Sequence, residues 1–208
     1  VGIMDRSTGH LQPVDIVRTP EEPATHCFAI TEDRDHSVWL GMLNSGLIRY
    51  DLETGHADMS FSWRKSIDPW IAALHYSPKT NALYVGTYSG LQTVSNVSLA
   101  QPEIKTLLRD DIIYSIDEDA DGDIWLGTTS GIVCYDPATG DVSRPGFDAG
   151  LLTNSVYAVR CEGHNVWMSL NTGLTRYNTE TGLFAGYMVD DGLQGNEFYK
   201  NTAFRDDA

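Results

Sequence analysis

The run Asp119-Ala120-Asp121-Gly122-Asp123-Ile124-Trp125-Leu126-Gly127-Thr128-Thr129-Ser130-Gly131-Ile132-Val133-Cys134-Tyr135-Asp136-Pro137-Ala138-Thr139-Gly140 places two short apolar segments between three turn signals. Ile124–Thr128 and Ile132–Tyr135 are rich in β-branched and aromatic residues, the composition that packs on a pleated surface. Ser130-Gly131 between them supplies a hairpin turn. In Asp136-x-x-Thr139-Gly140 the carboxylate can cap its own turn, and Gly provides the positive φ that tight hairpins need.

The same run recurs. Its anchor is an aromatic residue inside an apolar strand, at Trp39, Tyr84, Trp125 and Trp167, with spacings of 45, 41 and 42 residues. Each anchor is followed by a turn glycine: Gly46, Gly90, Gly131 and Gly173. The Asp-x-x-Thr-Gly turn appears at Asp5, Asp51 and Asp136, and as Asn178-x-x-Thr181-Gly182, but is missing from the second unit. A further strand precedes each anchor, at Phe28-Ala29-Ile30, Ala72-Ala73-Leu74, Tyr114-Ser115-Ile116 and Tyr157-Ala158-Val159. Four strands per unit of about 42 residues predict an all-β chain built as a β-propeller of four-stranded antiparallel blades. One such sheet cannot bury its own faces, so the units must stack, and a flat indole fills the gap between them. A β-sandwich with coincidental spacing is the alternative, whereas no 3.6-residue period supports a helical solenoid.

The blades are expected at about 20–63, 64–107, 108–150 and 151–193, with partial blades at 1–19 and 194–208. That reads as a fragment of a larger, seven-bladed propeller. An arrangement in which the two ragged ends share a fifth blade stays open.

Composition narrows the function. The chain has 208 residues and a formal net charge of −15, which argues against nucleic acid or an anionic membrane as partner. No apolar run approaches the roughly 20 residues that span a bilayer. Cys27, Cys134 and Cys161 are an odd set without a C-x-x-C pair, read as buried free thiols. The six histidines (10, 26, 36, 56, 75 and 164) make no zinc-binding spacing, so no metal and no cofactor is expected. Asp117-x-Asp119-x-Asp121-Gly122 opens like a calcium loop, but Thr128 stands where a bidentate Glu is required, and an acidic turn is the plainer reading. Neither a nucleophile elbow nor a P-loop occurs, and the acids fall mostly at repeated turn positions, so no catalytic residue is assigned.

Asp119–Gly140 resembles the two-component regulator propeller repeat, and Asp190-Asp191-Gly192-Leu193-Gln194-Gly195-Asn196-Glu197-Phe198 resembles that family's linker into its last blade. The resemblance implies the extracytoplasmic, periplasmic sensor region of a bacterial hybrid two-component histidine kinase. In such proteins a Tyr-rich sandwich domain, a membrane helix and kinase modules follow. It implies an oligosaccharide ligand derived from a polysaccharide, and the remaining blades, the downstream sandwich domain and a homodimer mate as partners. In a propeller the loops after each second strand open on one face together with the inter-blade links. Candidate ligand-binding residues on that face are Trp63, Arg64, Trp70, Tyr88, Arg109 and Asn171, because rings stack on sugars and polar groups fix their orientation. A propeller glycan hydrolase or lyase, and a protein-interaction scaffold, are the competing classes.

Overall fold

The computed structural model describes residues 2–14, 17–19, 22–23, 26–58, 61, 67–97, 102–146, 155–200 and 203. Among these the chain opens with two ribbons, β1 (Gly2–Met4) with β2 (Leu11–Pro13), and β3 (Val17–Thr19) with β4 (Glu22–Pro23). Four four-stranded sheets follow. The first is β5 (His26–Glu32), β6 (Ser37–Leu43), β7 (Gly46–Asp51) and β8 (Ala57–Asp58). The second is β9 (Ile71–Ser77), β10 (Ala82–Thr87), β11 (Gly90–Ser95) and β12 (Glu103–Arg109). The third is β13 (Ile113–Glu118), β14 (Ile124–Thr128), β15 (Gly131–Tyr135) and β16 (Val142–Ser143). The fourth is β17 (Ala158–Glu162), β18 (Asn165–Leu170), β19 (Gly173–Asn178) and β20 (Phe184–Tyr187).

All pairs are antiparallel, and spatial order equals chain order in every sheet. The first strands pack side by side, β5 on β9, β9 on β13 and β13 on β17, so they line a common axis. This is the propeller arrangement the repeat predicts, preceded by the β1–β2 hairpin, which turns at Asp5–Gly9. β12 runs to Arg109, past the boundary expected at 107. Within 194–208 the described residues, 194–200 and 203, hold no strand; a single 3-10 turn lies just before, at Val189–Asp191.

The Trp-Leu-Gly motif is explained at the blade interfaces. Trp39 is fully buried and shares one cluster with Leu83, Val85 and Val94 of the second sheet and Val97 just after β11, its ring edge-on to Phe61 at 4.9 Å. Tyr84 packs with Ile113, Leu126 and Val133 of the third sheet, and Trp125 with Val159, Val166 and Met168 of the fourth. The glycine two residues later leaves room for the next blade. A Cβ on Gly41 would lie 2.5 Å from Ile71 Cγ2, and one on Gly86 2.8 Å from Ile113 Cγ2. Trp167 in the fourth sheet is half-buried, since no sheet covers it among the described residues. It instead lies 5.6 Å from Tyr187 and 5.8 Å from the Arg176 guanidinium.

The acidic turns also have a structural use. Asp119 Oδ1 accepts N–H bonds from Asp121, Gly122 and Asp123, while Oδ2 accepts the Trp125 indole N–H at 2.8 Å. Asp33 does the same for Trp39 at 2.9 Å. Asp119→Ala therefore frees the turn and orphans a buried indole donor, and should cost about 1–3 kcal/mol, read as a fall in the urea midpoint at unchanged slope. In the outer hairpins Asp5, Asp51 and Asp136 are held below the usual carboxylate range by bonds from Ser7, Thr54 and Thr139 respectively.

One expectation is corrected. Cys134 and Cys161 are buried free thiols, but Cys27 is exposed. It lies at a bulge in β5, and among the described residues no strand flanks β5 on the side away from β9. Burial, then the nearby Asp123 and Asp119 carboxylates, push the Cys134 thiol from 9.0 to about 12, and burial raises Tyr84 and Tyr135 as well. Groups that hold their protons more tightly when folded add stability that is complete below their unfolded pKa. That stability drains away as pH climbs toward the folded value. Unfolding free energy should thus fall between about pH 9 and pH 12, less steeply in Cys134→Ala. Urea titrations in that window check this; an equal slope in both proteins would refute it.

Candidate functional site

The turns after the second strands, at Asn44-Ser45, Tyr88-Ser89, Thr129-Ser130 and Asn171-Thr172, open on one end of the barrel-like axis with the inter-blade links. Two of them are locked by the residue that ends the second strand. Thr87 Oγ1 donates to Gly90 O and accepts from Ser89 N; Thr128 Oγ1 repeats both bonds with Gly131 and Ser130. That lock fixes where Tyr88 stands.

Tyr88 N donates to Trp70 O, and the two rings meet edge to face at 5.4 Å. Trp70 bridges to Leu43 of the first blade yet keeps 46% of its surface exposed. Its own N–H is held by Asp68 Oδ1, while Asp68 N donates to Gln92 Oε1. Beside this ledge is a groove of about 400 Å³ lined by Asp68, Ser89, Gln92, Thr106, Leu108 and Arg109. Arg109 is exposed at the end of β12, and Asp110, in the left-handed region, donates its N–H to Ser89 O.

The fold thus gathers Trp70, Tyr88 and Arg109 on the second blade. Asn171 is exposed at the β18–β19 turn, two blades away. Trp63 and Arg64 lie outside the described residues. Asp111, at the same rim, is buried and committed to structure: its carboxylate accepts from Ser130 Oγ and from Arg144. Asn196, in the segment resembling the family linker, accepts the Val189 N–H and so shapes its own loop.

Sequence reasoning missed two features. Tyr114 and Tyr157 pair at 5.7 Å across the third and fourth blades, and the Lys200 ammonium lies 4.1 Å from the Tyr114 ring and 5.7 Å from that of Tyr88. The signal was the aromatic that opens the first strand in three units, at Phe28, Tyr114 and Tyr157. On the opposite end a cleft of about 560 Å³ carries His75, Lys79, Asp117 and Glu118. Its charges fasten blades together. His75 Nε2 pairs with Glu118 Oε2 at 3.1 Å, Lys79 donates to Asp119 O and Ala120 O, and Asp117 Oδ2 accepts Cys161 N. Asp117, Asp119 and Asp121 therefore do not converge, and no group of three metal-ligating side chains occurs among the described residues.

Stacked four-stranded sheets with a turn-lined mouth define a β-propeller. More narrowly, residues 107–130 match the family model of the two-component regulator propeller. It is 30% identical over 186 residues to Histidine kinase P4 of Formosa agariphila, an alignment covering 83% of this chain and 13% of that relative. In fold it is similar to the extracellular domain of the hybrid two-component system BT4673 of B. thetaiotaomicron (TM-score 0.73, 20% identity, 96% of this chain and 29% of that one). It is similar also to PorZ, a surface component of the type-IX secretion system of Porphyromonas gingivalis (TM-score 0.74, 16% identity, 91% and 32%). The chain spans about an eighth of the curated relative, and about a third or less of these structures.

Proposed function

We propose that this chain is part of the extracytoplasmic sensing propeller of a hybrid two-component regulator, and that it binds a polysaccharide-derived oligosaccharide at the Trp70–Tyr88–Arg109 mouth. The observation that carries the reading is the half-exposed indole of Trp70, propped edge-on by Tyr88 beside a polar groove. An exposed ring held rigid loses little entropy when a sugar face stacks on it, and Asp68, Gln92 and Arg109 offer the acceptors and donors that orient hydroxyls. The 30% identity to a histidine kinase over 83% of the chain supports the signalling context. Phosphoryl transfer, in this reading, belongs to other domains of the parent protein, and the propeller itself does no chemistry. Periplasmic placement and a homodimer that relays binding across the membrane belong to the same proposal.

Titration calorimetry of the propeller against a panel of neutral, acidic and basic oligosaccharides tests it. Saturable binding by at least one glycan is expected, weakened about tenfold or more by Trp70→Ala. No heat from any glycan, or binding indifferent to Trp70→Ala, would reject the assignment.

A further inference from the structure

The rim has an electrostatic character that hydroxyl recognition does not use. Trp70 with Tyr88, and Tyr114 with Tyr157, are two ring pairs drawn from three successive blades, and the Lys200 ammonium links them into a belt. Between Tyr88 and Tyr114 the belt already holds a cation. The Lys200 ammonium is 4.1 Å from the Tyr114 centroid, well inside the roughly 6 Å over which a ring quadrupole attracts positive charge. It is 5.7 Å from the Tyr88 centroid, so the two rings share it. Asp68 is bonded to the backbone of Trp70 in the same belt, and Asp110 to the turn that carries Tyr88. A chain of net charge −15 further concentrates cations at its surface. Among the described residues of this rim, Arg144 is paired with Asp111, and Arg109 lines the groove as an opposing positive group.

From this we infer that the oligosaccharide bears a free, protonated amino group, which takes the place of the Lys200 ammonium between Tyr88 and Tyr114. The inference rests on the carbohydrate reading of the mouth and narrows it to unacetylated amino sugars. A neutral sugar entering the belt would leave the Lys200 ammonium in its path. A ligand ammonium exchanges for it, and the lysine returns to water.

Two probes that differ only at nitrogen make the test: the glucosamine tetramer with its amines protonated, and the N-acetylglucosamine tetramer. Calorimetry should show the glucosamine tetramer binding about tenfold more tightly, equivalent to about 1.4 kcal/mol. Tyr88→Leu keeps apolar bulk but removes one of the two ring faces, and should shrink the difference. Lys200→Ala should tighten the glucosamine tetramer, which gains both vacated ring faces for its ammonium, more than the acetylated one, which loses only an obstacle. Tyr114 is buried, so Tyr114→Leu serves as a second variant only if its urea midpoint is preserved. Equal binding of the two tetramers overturns the inference while leaving the oligosaccharide reading intact. So does a preference undiminished by Tyr88→Leu, which would be unspecific attraction to the acidic surface. Failure of both tetramers overturns it too, and the neutral and acidic members of the wider panel then decide the carbohydrate reading separately.

Discussion

Trp39→Ala should lower the unfolding free energy by about 3–5 kcal/mol, the cost of emptying a fully buried aromatic site. The indole fills the joint between the first and second blades, touches Phe61, and donates to Asp33. Its removal therefore leaves a cavity and strips one hydrogen bond from a buried carboxylate oxygen at once. Arg49, whose guanidinium is 5.5 Å from the same ring and 3.5 Å from Asp33, loses half of its setting. Trp167→Ala is the internal control. That ring is half-buried, so the same substitution should cost about 1 kcal/mol. Urea denaturation followed by tyrosine and tryptophan fluorescence reads both. Equal losses at the two positions would mean that the repeated indole does not hold blades together.

Gly90→Ala is expected to be nearly as damaging, about 2–4 kcal/mol, although it adds a single methyl. Gly90 starts β11 at φ 137°, in a region that L side chains rarely adopt, and a Cβ there would stand 2.0 Å from the Leu108 carbonyl oxygen. The obstacle is backbone of the neighbouring strand β12, so no side chain can swing aside. Gly140→Ala is the matched comparison. It too has positive φ, 82°, but nothing lies within 4 Å of the added carbon, so only the left-handed penalty of about 1–2 kcal/mol remains. Because Gly90 closes the turn that presents Tyr88, Gly90→Ala should also weaken any ligand of the Trp70–Tyr88 ledge. A stability loss no larger than that of Gly140→Ala would contradict the close approach of β11 and β12.

The strand pattern was readable because it is local. Alternation, turn chemistry and the spacing of Trp39, Tyr84, Trp125 and Trp167 are properties of short windows, and each window folds against its immediate neighbour. The same locality explains why Asp-x-x-Thr-Gly could be read as a hairpin: the Asp side-chain bonds fall within three residues and the backbone bonds within five. Misreadings came from positions whose surroundings are distant in sequence. Cys27 looks like Cys134 and Cys161 until the flanks of its strand are known. The pairing of Asp111 with Arg144, 33 positions later, is likewise invisible in any short window.

The order of the strands, the hairpin turns and the need for each sheet to lean on the next were set by the chain's own repeating chemistry, since backbone pairing and burial of apolar stripes act over tens of residues. Which side chains face one another across blades was decided only by the tertiary structure. The partnership of Trp70 with Tyr88, the Tyr88–Lys200–Tyr114 contact and the His75–Glu118 clasp join residues from separate units or distant turns. Their proximity depends on how far each blade is rotated about the shared axis, and that rotation is a sum of packing contacts that no short segment encodes.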